Sequence, residues 1–305
     1  MLPANDGNQL AKPPAGADLG DGASRLGMPR ASLLWYGHAR MTPLQAELYA
    51  LTHRGNAGDR AFYERVCAGA ERVLELGCGY GRLLGMLADQ ERQVVGLERD
   101  AELRALARRW LRESGGDLAA RVRVISGDMR KFSLGSHFDR IVIPHSGVYC
   151  LLDRASVIAC FRCVERHLAP RGRLVFDAYA ADAFHVESSP TDLAPDALEP
   201  VVSLRARGGT WDVFEQSRWT RRAQRLEVTY VYVRRERPRV ERIAIPQRYL
   251  LTGQIPGLLA RAGLELVSLR RGFGQRANAR AEHVIVEARA RAPRSRPRAG
   301  RVARS

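Results

Sequence analysis

Lysine is almost missing from this 305-residue chain: arginine supplies all but two of its 49 basic residues, the exceptions being Lys12 and Lys131. With much alanine and glycine beside it, the net charge of +16 reads first as the bias of a GC-rich coding sequence. Seven arginines and no acids fall in residues 289–305, so much of the excess sits in one tail. A diffuse arginine surplus is more often a solvated face than a nucleic-acid stripe. No run of about 18 apolar residues exists, which excludes an ordinary spanning helix. The first residues lack the basic-then-apolar order of a secretory signal, so a cytoplasmic location is expected. Cysteine is sparse and odd in number, at Cys67, Cys78, Cys150, Cys160 and Cys163, which argues against a disulfide framework. Cys160 and Cys163 have metal-ligand spacing, but a zinc site needs a second pair, and none is present. They are expected to be buried helical residues, and no metal is expected.

What the chain has is alternation. Residues 1–30 are rich in Gly, Ala and Pro and read as a disordered leader. Apolar residues at helical spacing (Leu44, Leu48, Leu51, then Phe62 and Val66) predict two N-terminal helices within 31–70, broken around Gly55–Gly58. From Arg72 short buried strands alternate with helices. Strands are expected at 73–76, 94–97, 122–125, 141–143 and 174–176. The helices between them span 81–90, 100–112 with Asp100 as N-cap, and 153–168. This order predicts a mostly parallel sheet covered on both faces. Residues 71–178 form the core of a domain running over 31–288. Prolines at 190, 195 and 200 then suggest a loop. Three alternating segments within 181–250 (211–220, 225–235 and 239–249) predict an antiparallel insert. A helix and two strands over 251–288 close the domain, and 289–305 is an arginine-rich tail without expected fold.

The strongest chemical signal is Glu75-Leu76-Gly77-Cys78-Gly79-Tyr80-Gly81, directly after the first strand. Glycines there let a ligand approach the backbone, and the following helix start offers free N–H donors. The nicotinamide fingerprint is G-x-G-x-x-G. This turn is G-x-G-x-G with an acid two residues ahead. Glu98 ends the second strand, where an acid can accept from both hydroxyls of a ribose. Gly127-Asp128-Met129 follows the third strand. Phe138-Asp139-Arg-Ile-Val-Ile143-Pro144-His145-Ser146 carries the fourth. Leu168-Ala-Pro170-Arg171-Gly172 precedes the fifth.

In this order, over residues 72–178, these segments resemble the motifs of the class I S-adenosylmethionine-dependent methyltransferases, of the bacterial small-molecule type. One departure is Arg171, where the family's L-x-P-G-G turn has its first glycine. Gly58-Asp59-Arg-Ala-Phe62-Tyr63 and Arg248-Tyr249…Gly263-Leu264 resemble the flanking parts of such enzymes. The resemblance implies a Rossmann-like α/β fold with a seven-stranded sheet, S-adenosylmethionine as cofactor, and a set of contacts. Leu76, Gly77, Cys78, Gly79 and Gly81 would wall the cofactor. Glu75 would hold its ammonium end. Glu98, with Arg99 beside it, would take the ribose. Asp128 would take the adenine amino group, with Met129 against the ring. Pro144 would lie under the methionine part.

The expected reaction is methyl transfer to an oxygen or nitrogen of a small molecule. Six of the 21 aromatics, Trp211, Phe214, Trp219, Tyr230, Tyr232 and Tyr249, fall within residues 211–249 of the insert. They would either line an acceptor pocket or simply fill strands. His145 is the candidate base and Tyr149, one turn further, its substitute. The alternative is an RNA or protein methyltransferase using the arginine-rich surface and tail. The Ile-Pro-His-Ser sequence lacks the acid- or Asn-Pro-Pro-aromatic form of base-amino methylating enzymes. A module that binds the cofactor without catalysis is a third reading. Residues 291–305 are expected to be removable without unfolding the domain. A large drop in a thermal scan would show that the tail packs.

Overall fold

The structure is a computed structural model and describes residues 40–88, 92–188, 197–276, 278 and 280–292. The expected leader lies outside the described residues, as does the tail beyond Ala292.

Two helices come first. Helix α1 (Pro43–Thr52) starts in a capping box: the Thr42 hydroxyl accepts from Gln45 N–H, and Gln45 Oε1 accepts from Thr42 N–H. Helix α2 (Asp59–Val66) follows Gly58, whose φ of +81° turns the chain sharply between them. The alternating part then gives β1 (Arg72–Leu76), α3 (Leu84–Leu87), β2 (Gln93–Glu98), α4 (Ala101–Ser114), α5 (Asp117–Arg121), β3 (Val122–Ser126) and β4 (Phe138–Ile143). A 3₁₀ turn (Gly147–Cys150), α6 (Arg154–His167) and β5 (Leu168–Tyr179) complete it. Asp100 and Asp153 cap α4 and α6 by accepting from the backbone N–H groups of Glu102, Leu103 and Ser156.

The main sheet has the order β10-β11-β5-β4-β1-β2-β3. Strands β1 to β5 are mutually parallel, and β11 (His283–Ala290) runs antiparallel between β5 and β10 (Leu264–Arg271). This is the expected mostly parallel seven-stranded sheet. The chain starts at β1, grows outward through β2 and β3, then returns to β4 on the other side. The β1/β4 boundary is therefore the switch point, and open α/β sheets bind ligands outside the strand ends there. One core packs α6 and α8 (Ile255–Arg261) on one face through Phe161, Val164, Leu258 and Leu259. The other packs α2, α3 and α4 on the opposite face through Phe62, Leu84, Leu87 and Ala107.

Strands β6 (Glu199–Ala206), β7 (Gly209–Thr220), β8 (Arg225–Arg234) and β9 (Val240–Arg248) form a separate antiparallel sheet in sequence order. Leu44 and Leu48 of α1 bury into it beside Trp211, Val213 and Tyr232. Strand β6 escaped sequence reading because Pro200 sits inside it. A proline is tolerated on an edge strand, and the register shifts between Pro200 and Val202.

Several expected boundaries move. The helix at 81–90 is a single described turn, because Gly77, Gly79 and Gly81 all hold positive φ and delay its start; residues 89–91 lie outside the description. Residues 181–187, expected as loop, form helix α7 (Ala181–Glu187). Its Asp182 accepts from Thr252 N–H and hydroxyl, and Phe184 lies 4.7 Å from the Trp219 ring. Strand β5 begins at Leu168, and the Pro170–Gly172 stretch is a bulge within it. A Cβ on Gly172 would come within 2.7 Å of the Phe138 carbonyl, whereas Arg171 is exposed, so the motif's departure falls where a side chain fits. Strand β11 continues to Ala290, and Arg291 N–H bonds the Gly263 carbonyl, so order extends past the expected tail boundary at 288.

Candidate functional site

The glycine turn leaves the end of β1 at the switch point. Its first two amides, on Gly77 and Cys78, both donate to the Leu97 carbonyl at 2.8 and 3.1 Å, which ties the turn to β2. Leu76 and Cys78 are buried. Close packing explains the small residues around it. A Cβ on Gly96 would lie 2.7 Å from Cys78 Sγ, and one on Gly81 would press Ala107 at 3.1 Å. Gly79 differs. At φ +56° its missing side chain would point into open space, so the backbone there is bare toward the crevice.

Glu98 closes the turn from the neighbouring strand. One carboxylate oxygen accepts from Gly79 N–H at 2.9 Å, the other from Arg99 and Asp100 N–H at 2.7 Å each. Burial raises its pKa even against these three donors. The Arg99 and Glu98 carbonyls both accept from the Arg104 guanidinium. Across the turn Met129 brings its methyl within 3.2 Å of a would-be Gly77 Cβ, which places it against the glycines. Asp128 is held by Arg130 through both carboxylate oxygens, and this hydrogen-bonded pair pulls its pKa down. An adenine amino group would share that carboxylate with Arg130.

Beneath the turn lies an uncompensated group. Glu75 is 4% exposed, and its Oε2 has no hydrogen-bond partner. Desolvation drives its pKa from 4.5 up to about 8, opposed by Arg82 and reinforced by Glu98 and Asp59. Arg82 is engaged by the buried Asp59 at 2.6 and 3.0 Å, an ion pair made possible by Gly55, where any Cβ would strike the guanidinium. A buried carboxyl without a donor costs stability, and a ligand ammonium would relieve it. These residues fit S-adenosylmethionine: Glu75 would take the ammonium of its amino-acid end, Gly79 would allow close approach, and Glu98 would accept from the ribose hydroxyls.

Pro144, buried, follows β4 directly, and His145 and Ser146 come next in the left-handed region at φ 54° and 55°. Two consecutive non-glycine residues there are strained. Asp177 holds them: fully buried on β5, it accepts from the N–H groups of His145 at 2.8 Å and Ser146 at 3.2 Å, and from the Tyr63 hydroxyl at 2.6 Å. His145 Nδ1 is buried without a partner, and burial lowers the ring's pKa, followed by repulsion from Arg82. His145 thus reaches the switch point as a neutral imidazole. Tyr149 does not join it. Its hydroxyl donates to the Tyr179 and Leu250 carbonyls, and burial raises its pKa, so it is a strut rather than a base.

Asp177, Arg82 and His53 were not singled out from sequence, and Asp59 and Tyr63 entered only as part of a flanking segment, with no role. Asp139, singled out in the fourth motif, accepts from Glu71 and Arg72 N–H at the opposite end of β4, away from the crevice. Cys160 and Cys163 are buried in α6, and no metal-binding group exists among the described residues. Trp211 and Tyr232 fill the core under α1, and Trp219 and Tyr249 pack in the main core. Of the insert aromatics, the half-buried Tyr230 extends to the crevice side, 4.7 Å from the His53 ring.

The sheet order, the glycine turn and the acid closing it define the class I S-adenosylmethionine methyltransferase fold. Residues 73–172 match the family model of the methyltransferase domain, and that segment is such a domain. A dTDP-3-amino-3,6-dideoxy-alpha-D-glucopyranose N,N-dimethyltransferase of Streptomyces fradiae is 33% identical over 142 residues, 44% of this chain and 52% of that protein. The chain spans about half the length of the curated relatives it matches, 52% and 43% for two of them. The CcbJ methyltransferase of Streptomyces caelestis superposes with a TM-score of 0.65 at 23% identity, over 77% of this chain and 90% of that one. CalS10 with bound SAM, an amino pentose methyltransferase of Micromonospora echinaspora, does so with a TM-score of 0.57 at 24% identity, over 83% and 100%. These two show the fold.

Two binding experiments follow, with S-adenosylhomocysteine as the probe. A carboxyl whose folded pKa is raised keeps its proton better folded than unfolded. Glu75 therefore withdraws stability as pH climbs from 4.5 toward about 8. An ammonium beside it reverses the preference, so binding releases a proton. Affinity measured by calorimetry should rise with pH up to about 8 and then level off, and Glu75→Gln should flatten that slope. An unchanged slope in the variant would place the ammonium elsewhere. Separately, Glu98→Ala should weaken binding by about 1.5–3 kcal/mol, the worth of hydrogen bonds to a charged group. Gly79→Val should abolish binding, since valine is strained at φ +56° and fills the bare face.

Proposed function

We propose that the chain transfers a methyl group from S-adenosylmethionine to a nitrogen of a small amino-sugar acceptor. The observation that carries the cofactor half is the buried, donor-less Glu75 oxygen under a glycine turn closed by Glu98. The cofactor, when bound, supplies an electrophilic methyl on a sulfonium. The protein's part is to hold, orient and keep the acceptor neutral. Glu75 fixes the ammonium end, Glu98 the ribose, and Pro144 the floor below the methionine part.

Nitrogen is favoured over oxygen by the bases on hand. A sugar hydroxyl needs a strong base as it is attacked, and neither candidate is one. Tyr149 is committed to two carbonyls, and burial makes His145 a weaker base than usual. An amine attacks through its own lone pair once its ammonium proton is gone, a loss that precedes attack, so even a weak base that relays the proton to solvent is enough. The Streptomyces fradiae relative, an N,N-dimethyltransferase of a dTDP-linked amino sugar, supports this reading. The arginine-rich surface is then solvation rather than an RNA platform.

Purified protein with S-adenosylmethionine should add one or two methyl groups to dTDP-3-amino-3,6-dideoxyglucose or a close amino sugar, followed by mass spectrometry. It should leave the 3-hydroxy analogue unchanged. His145→Ala should cut turnover about 10²-fold or more if it takes the proton, with S-adenosylhomocysteine affinity intact. A loss under about fivefold with a flat pH profile would assign proton removal to water.

A further inference from the structure

His53 ends helix α1, and its ring nitrogens are not equivalent. Nδ1 lies 3.0 Å from the Tyr49 carbonyl oxygen. A carbonyl has no proton to give, so Nδ1 must carry the hydrogen and donate. Nε2 is then an unprotonated lone pair. It is buried and has no partner among the described residues. The alternative, protonation at both nitrogens, is opposed by burial and by neighbouring His145, which push the pKa down to about 4. The ring is also locked in place. It stacks on Tyr49 at 4.1 Å and 17°, and meets Tyr230 edge-on at 4.7 Å. Its backbone carbonyl accepts from the Tyr80 hydroxyl of the glycine turn at 3.0 Å. The His145 ring stands 6.2 Å away, nearly perpendicular. His53 therefore sits where the glycine turn, the β4 loop and the second sheet converge.

A fixed, buried lone pair beside a transfer site is a hydrogen-bond acceptor waiting for a donor. We propose that His53 Nε2 accepts a hydrogen bond from the N–H of the acceptor amine and so aims the nitrogen lone pair at the cofactor's methyl group. This deepens, and rests on, the amine-methyltransferase reading. His53 and His145 divide the work: His145 takes the proton that must leave, and His53 holds a proton that must stay. A neutral imidazole also admits an amine beside the cationic sulfonium without adding a further positive charge. The Tyr49 and Tyr230 rings on either side shield the lone pair from water, so an incoming N–H has little competition.

The test does not need the natural acceptor. Two cofactor analogues replace the sulfonium by nitrogen, one bearing a 2-aminoethyl arm and the other an n-propyl arm of the same length. The amine of the first stands where the acceptor nitrogen would be. Calorimetry on the full chain should show the aminoethyl compound bound about tenfold or more tightly than the propyl one. His53→Phe should erase that preference while leaving S-adenosylhomocysteine affinity within about twofold, which also shows that the variant folds. In ¹⁵N NMR the Nε2 resonance of His53 should move from the position of an unprotonated nitrogen when the aminoethyl compound binds, and stay when the propyl compound binds. Equal preference in wild type and His53→Phe, or a resonance indifferent to the amine, would overturn the proposal. Failure of S-adenosylhomocysteine to bind the wild-type protein would instead overturn the methyltransferase reading beneath it.

Discussion

A single buried carboxylate joins the parts of this crevice. Asp177 sits on β5 with no solvent exposure and takes three hydrogen bonds, from the Tyr63 hydroxyl and the backbone amides of His145 and Ser146. Through Tyr63 it anchors α2 to the sheet. Through the two amides it holds a left-handed dipeptide that would otherwise relax, since each non-glycine residue in that region costs of order 1 kcal/mol or more. Burying a carboxyl is expensive, and its raised pKa records the cost. Three donors aimed at one group repay part of it. His145 enters the crevice because this carboxylate holds its backbone in a conformation its sequence does not favour.

The N-terminal helices belong to the site for the same reason. Asp59 on α2 engages Arg82, and Tyr63 engages Asp177, so one helix touches both sides of the switch point. Helix α1 bears His53 at its end, while its Leu44 and Leu48 are buried in the second sheet. The second sheet thus meets the crevice through α1, with Tyr230 against the His53 ring, and through β9, which packs on the 3₁₀ turn after His145 and Ser146. The sheet holds α1 in place, and α1 presents the imidazole.

How much of this was legible in the sequence divides along contact range. The five parallel strands announce themselves through buried runs, and the two long helices through their caps, Asp100 and Asp153, whose partners lie two or three residues away. The glycine turn and Glu98 are legible because a tight backbone needs glycine and a strand end exposes its acid. Asp177 was overlooked, although an acid ending a buried strand was a signal in plain view; its donors lie 31 to 114 residues away. His53 gave no signal, because its tautomer depends on one carbonyl and its burial on a sheet that begins some 150 residues later. The loop read over 181–200 failed differently: α7 has weak intrinsic helical character, and Asp182 and Phe184 fasten it to Thr252 and Trp219.

The polar groups around the crevice fall into two kinds, and the division bears on how such a site works. Asp59, Asp177, Glu98 and Asp128 are satisfied by the protein itself, through Arg82, backbone amides or Arg130. Glu75 Oε2, His145 Nδ1 and His53 Nε2 are buried and left without partners. An unsatisfied buried polar group costs roughly 1–3 kcal/mol, so three near one cleft are a large debit for a marginally stable domain. The satisfied set builds the walls. The unsatisfied set is one carboxyl oxygen and two ring nitrogens whose deficits an ammonium or an amine would relieve. Stability withheld in the free protein in this way is recovered only when ligand arrives, which makes binding energy available for placing the reacting atoms.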